Sequence, residues 1–245
     1  MPEAILHHYQ LSPYSEKIRL ALGLKGLSWR SVEIPVWTPR PKLTPMTGGY
    51  RRTPILQLGA EFYCDTLLIL RVIEELGSSK SLYPAGQEGT VKALCWWIEK
   101  SSFMNAVCLT IGNMTGKLPQ ELIDERLPLF GVNLDPGVLL PKRGTYLQRV
   151  NAHIHWLGEM LSDGREFIFG QEPSAADLAA YHPIWFARKR RTRDRGPSTD
   201  RDDRALVRQG NRDRAWQRNR DDARRGNRDR EESAAERAEG LVARG

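Results

Sequence analysis

"SPYSEKIRLAL", residues 12–22, runs from a proline-marked turn into a helix, and a short apolar run, Ala4-Ile5-Leu6, lies just before it. Ile18, Ala21 and Leu22 share one face at helical spacing, whereas Ala4 to Tyr9 reads as a strand. Ser12, Pro13, Tyr14 and Ser15 therefore occupy a strand-to-helix junction. Such a junction offers free backbone amides and the positive end of a helix dipole, and both favour an anion.

Working outward, Trp29 to Ile34 is a second strand and completes a βαβ opening. A loop rich in proline follows (Pro35, Pro39, Pro41, Pro45), and then Pro54 to Leu58, a Gly59-Ala60 turn and Glu61 to Cys64 read as a hairpin. Thr66 to Leu76 carries Leu67, Leu70 and Ile73 at helical spacing and stops at Gly77. Residues 77–89 read as a linker, and no strand pattern appears beyond them. The spacing predicts one long helix over Val91 to Met114, a shorter one over Leu118 to Phe130, and a third carrying Tyr146, Leu147, Val150, Ile154, Leu157 and Leu161. A last helix begins at Pro173-Ser174-Ala175-Ala176-Asp177, where Ser174 and Asp177 have the spacing of a reciprocal cap. The expected organisation is a small α/β domain over 1–80, an all-helical domain over 89–187, and a tail over 188–245.

Of 37 basic and 30 acidic residues, 19 and 12 lie after Ala187, so residues 1–187 hold 18 of each. The net charge of +7 thus belongs to the tail, and it does not argue for nucleic-acid binding by the domains. In the tail GNRDR occurs twice, at 210–214 and 226–230, and large apolar residues are too sparse to offset the entropy of ordering it. Disorder is the expectation there, and out-of-frame translation of a GC-rich gene is one account of the abrupt change. Twelve acids interleaved among nineteen bases dilute the field an RNA or DNA contact needs. If the helical domain stopped at 187, Ile184, Trp185 and Phe186 would be partly exposed. Three cysteines without C-x-x-C spacing indicate neither a disulfide framework nor a zinc site. His153 and His155 point to different helix faces, and His7 and His8 alternate across a strand, so no metal is expected. No export signal or membrane span is read, and a cytoplasmic protein is expected.

The order strand, SPYSEKIRLAL helix, strand, long loop, "RRTPILQLG", "CDTLLILRVIEEL" resembles the thioredoxin-like half of a glutathione transferase, and "GQEPSAADLAAYHPIWF" is similar to that family's helical half. The resemblance covers residues 4 to about 187. It implies a thioredoxin-like α/β domain followed by an all-α domain, with glutathione as co-substrate whose thiolate is activated for conjugation to, or isomerisation of, a hydrophobic electrophile. In serine-class members the residue at the position of Ser12 contacts the sulfur, so Ser12 is expected to hold the thiolate, with Tyr9 as the fallback, Tyr14 as a weaker candidate, and a plain helix cap as the structural alternative. A free thiol has a pKa of about 8.5, and lowering it two units takes ~2.7 kcal/mol of differential stabilisation.

The resemblance further implies a cis bond at Thr53-Pro54, turning the main chain of Thr53 toward the tripeptide as an added strand does. It also places the γ-glutamyl carboxylate at Thr66 and its ammonium at Asp65, while Lys42, Arg51 or Arg52 takes the glycyl carboxylate. With serine at both Ser12 and Ser15, a thiol reductase route through a mixed disulfide is closed. A hydrophobic electrophile is expected between the domains against Trp96, Phe103 and Met104. A homodimer is implied by the family alone. The rival expectation is a family member that keeps the fold as a non-catalytic regulator or scaffold.

Overall fold

The computed structural model describes residues 3–77, 80–114 and 118–191. The expectations for the tail beyond Arg191, disorder and frameshift among them, lie outside the described residues. Four strands form one mixed sheet in the order β2-β1-β3-β4: β1 (Ala4–His8), β2 (Trp29–Glu33), β3 (Ile55–Leu58) and β4 (Glu61–Cys64). β1 pairs parallel to β2 and antiparallel to β3, which pairs antiparallel to β4. A parallel pair needs a crossover, and α1 (Pro13–Leu24) supplies it. α2 (Thr66–Leu76) follows β4 directly.

The first helix starts where the sequence places it. Ser12 is its N-cap, with the Ser15 N–H donating to Ser12 Oγ at 3.1 Å, and Pro13 takes a first-turn position where a missing N–H costs nothing. β1 is buried on both sides, as a central strand must be: His7 and His8, on opposite faces, are both buried.

The expected single helix over 91–114 is instead two, α3 (Glu88–Trp97) and α4 (Phe103–Gly112), joined by a π-helical turn at Ile98–Ser102. Ser101 Oγ donates to the carbonyl of Trp97, a back-bond that competes with the helix's own ladder. The later helices are α5 (Gln120–Phe130), the short α6 (Pro136–Leu139), α7 (Arg143–Met160) and α8 (Ala175–Arg191). At the start of α8 the cap is one-sided: Asp177 accepts the Ser174 N–H and hydroxyl at 2.8 and 2.6 Å and the Ile168 N–H at 2.8 Å.

Trp185 and Phe186 correct the expectation of exposure. Both are buried, packed with Phe103, Val107, Cys108, Ile111, Leu134 and Leu139 into a second core, while Ile184 stays half-buried. The main core crosses between the halves: Ile18, Ala21 and Ile69 of the α/β half touch one cluster with Val91, Cys95, Ala176 and Leu178 of the helical half.

Candidate functional site

The two halves enclose a cleft of about 380 Å³. One end is polar. There the N-termini of α1 and α2 open side by side, bringing Ser12, Tyr14, Thr53, Pro54, Asp65 and Thr66 to a common wall with Tyr50 and Arg52. The Thr53–Pro54 peptide bond is cis, as the resemblance implies, and so is Thr38–Pro39, which the sequence reading did not single out.

Of the two serines at the start of α1, only Ser12 lines the cleft; Ser15 is fully buried and its hydroxyl has no partner among the described residues. Ser12 Oγ accepts the Ser15 amide, and its own O–H remains free to donate. Capping and a contact to an anion are therefore compatible at one hydroxyl. Asp65 caps α2, accepting the Leu67 N–H on Oδ1 at 2.8 Å, and keeps Oδ2 without a partner among the described residues. Its φ of 76° is the one positive value at a non-glycine residue among the described residues, a conformation that costs about 1–3 kcal/mol and concentrates at functional sites.

Behind Thr66 stands a residue the sequence reading passed over. Lys17 is fully buried; its Nζ donates to Thr66 Oγ1 at 2.6 Å and forms an ion pair with Glu99 of the π-turn. Accepting from Lys17 leaves the Thr66 hydroxyl proton available to a carboxylate, and it sets a positive charge one atom behind it. The signal was faint: Lys17 lies four residues before Ala21, at the edge of the apolar face of α1.

The other end is apolar. Leu11, Phe103, Val107, Ile111, Leu122 and Phe130 belong to its wall, with Tyr9 and Arg126 as its polar groups. Arg126, on α5, is buried; its Nη2 donates to the Val36 carbonyl at 2.8 Å and lies 3.4 Å from Tyr9 Oη. Trp96 lines the cleft but is 57% exposed. Met104 turns away from it, into a groove between α4 and α7 shared with Cys108, Tyr146 and His153. Lys42 and Arg51 are exposed and lie outside the cleft wall, whereas Arg52 and Lys100 reach it. The loop after β2 is fixed by Arg40, whose guanidinium donates to the carbonyls of Pro35, Val36 and Arg51.

Tyr14 is drawn into the junction of the halves, its ring 4.6 Å from Phe103 and 5.0 Å from His182. Burial first, and then the Glu99 carboxylate, push its phenol pKa well above the ordinary value. Burial likewise raises Tyr50, with Asp65 beside it. Among the described residues no group of His, Cys, Asp and Glu is arranged to hold a metal ion, and no helix is long and apolar enough to cross a membrane.

The chain matches the profile of the glutathione S-transferase N-terminal domain over residues 6–81 and that of the C-terminal domain over 120–209, the latter running past the Ala187 boundary expected from sequence. It is 35% identical to a GST-like protein from Pseudomonas syringae, with a TM-score of 0.55 over 85% of this chain and 66% of that one. FtsZ-localized protein A of Caulobacter vibrioides is 28% identical over 184 residues, covering 73% of this chain and 74% of the relative. A rice enzyme, OsGSTU1, solved in complex with glutathione, shares the fold at 18% identity, with a TM-score of 0.60 over 86% of each chain. Two domain matches in the family's order, on a four-stranded mixed sheet followed by helices, settle the assignment: the chain belongs to the glutathione S-transferase family.

Proposed function

We propose that the polar end of the cleft binds glutathione and ionises its thiol for attack on a hydrophobic electrophile held at the apolar end. The observation that carries this reading is the convergence of two helix N-termini on one cleft, with Ser12 at one and Asp65-Thr66 at the other. In this reading residues 1–80 supply the tripeptide site and the helical part supplies the electrophile wall. The γ-glutamyl carboxylate takes the Thr66 hydroxyl, backed by Lys17, and the ammonium takes Asp65 Oδ2. The Thr53 main chain pairs with the cysteinyl backbone, and Arg52, rather than Lys42 or Arg51, meets the glycyl carboxylate. The thiol proton leaves to solvent while the sulfur accepts the Ser12 O–H at the positive end of α1. Tyr9, the fallback, faces Arg126 and the electrophile end. No covalent enzyme intermediate and no metal enter the scheme. A homodimer working in the cytoplasm completes the proposal.

The test is glutathione titration with calorimetry alongside the ultraviolet absorbance of bound thiolate. Wild type should bind and show the thiolate band, Ser12→Ala should bind with the band reduced, and Asp65→Ala should lose affinity by about 10- to 100-fold, as removal of a charge-assisted partner does. Absence of heat at millimolar glutathione in folded protein would refute the reading. The similarity to FtsZ-localized protein A favours a second reading, a glutathione-independent interaction scaffold. That alternative predicts no retention on immobilised glutathione.

A further inference from the structure

Resting on the reading that glutathione fills the polar end, we infer that the electrophile carries a carboxylate, bound by Arg126 with Tyr9 as a second donor. Glutathione uses the charges at its own end: Asp65, the Lys17-backed Thr66, and Arg52. Arg126 lies outside that set, on α5, where Leu122 and Phe130 of the same helix and Leu118 before it line the cleft around it. It is only 7% exposed. One of its five N–H donors goes to the Val36 carbonyl, which fixes the guanidinium without neutralising it. Nη1 has no partner among the described residues, and Nε stands 4.0 Å from Glu125 Oε2, the outer limit of an ion pair. Glu125 is not in the cleft wall, and its Oε1 already accepts the Thr38 N–H at 3.2 Å. Because Arg126 donates toward the Tyr9 oxygen, the Tyr9 O–H is left to donate onward.

A purely apolar substrate pressed against this wall would further desolvate a guanidinium that Glu125 meets only at the 4.0 Å limit, and would offer it no new partner, which is unfavourable. A carboxylate on the substrate reverses the sign, since guanidinium and carboxylate match as a charge-assisted, two-point pair. The cleft therefore selects an aromatic or aliphatic acid over its neutral isostere.

Two measurements test this. The first needs no glutathione: calorimetric binding of 3,5-dinitrobenzoate against 3,5-dinitrobenzamide. Wild type should prefer the acid by about tenfold or more; Arg126→Gln should abolish the preference, Arg126→Lys keep part of it, and Tyr9→Phe reduce it a few-fold. The second is turnover of 4-chloro-3,5-dinitrobenzoate against its amide, each rate divided by the uncatalysed one. The glutathione sulfur bonds to the chlorine-bearing carbon, the C–Cl bond breaks with its electron pair to release chloride, and the thiol proton goes to solvent. The preference should appear in KM more than in kcat. Equal binding of acid and amide overturns the inference, as does an Arg126→Gln protein that weakens both alike, for then Arg126 only holds Val36. Preference for the acid without turnover would instead refute the glutathione reading and leave the anion site standing.

Discussion

At the polar end of the cleft Ser12 stands before α1 and Asp65 and Thr66 at the start of α2, while Thr53 precedes the β3-β4 hairpin that leads into α2. At the apolar end, Tyr9, Phe103, Arg126, Leu134 and Phe186 arrive from five separate stretches of the chain. The first end is made by capping, a local physics of one side chain and one amide. The second exists only because α4, α5 and α8 bring residues to one wall. Lys17 joins the two constructions, since it rises from α1, supports Thr66 and meets Glu99 of the helical half.

The sharpest way to break this contrast is Lys17→Met. Removing one partner of a buried ion pair leaves Glu99 uncompensated and Thr66 without its donor. A loss of about 3–5 kcal/mol in unfolding free energy is expected, together with weaker glutathione binding. Urea denaturation and calorimetry would report both, and Lys17→Arg should restore part of each. A stability close to wild type would mean that the two ends are independent after all.

Acid offers a somewhat smaller perturbation. His8, wholly buried on β1, shares a hydrogen bond with Ser31 Oγ at 2.8 Å and has Arg19 at 3.0 Å from Nδ1. Burial, reinforced by Arg19, lowers its pKa from 6.5 to about 4. His182, fully buried with neither ring nitrogen partnered among the described residues, shifts in the same direction for the same reason. The folded state thus prefers neutral histidine while the unfolded chain takes up protons first. Stability is complete above about pH 6.5 and falls as the pH drops toward 4, with His8 contributing up to about 3 kcal/mol. Urea midpoints at pH 7 and pH 4.5 that coincide in wild type would contradict this.

The mildest change separates the two duties of one hydroxyl. Ser12→Ala should cost about 1 kcal/mol as a lost N-cap and should also diminish the thiolate band. Ser12→Asp keeps an acceptor for the Ser15 amide but sets a negative charge against the sulfur, so it should retain the stability and lose the band. If both variants keep the band, backbone amides alone hold the sulfur.

Much of the polar end was legible because its signals are contiguous. Ser12-Pro13 announces α1, Asp65 announces α2, Gly77 ends it, and Thr53-Pro54 precedes the hairpin that the structure shows. The other end was misread where the outcome depended on distant partners. Phe103 does face the cleft, but Met104 beside it points to the groove shared with α7, because consecutive residues of one helix diverge by about 100° and do not share a face. Trp185 and Phe186, expected to be partly bare if the helical domain stopped at 187, are buried by α4 and the residues around α6. Arg126 and Lys17, in sequence two charges on amphipathic helices, become buried and partnered only through Val36, Tyr9, Thr66 and Glu99.

The sequence alone determined the family, the sheet and its helices, and which residues begin α1 and α2, since capping and periodicity are interactions among near neighbours. The tertiary structure decided which cation stands behind Thr66, which reaches the apolar wall, and which of two adjacent side chains enters the cleft. Those choices turn on burial and on partners that lie 49 to 117 residues away along the chain, and no short-range rule encodes the free energy of such encounters.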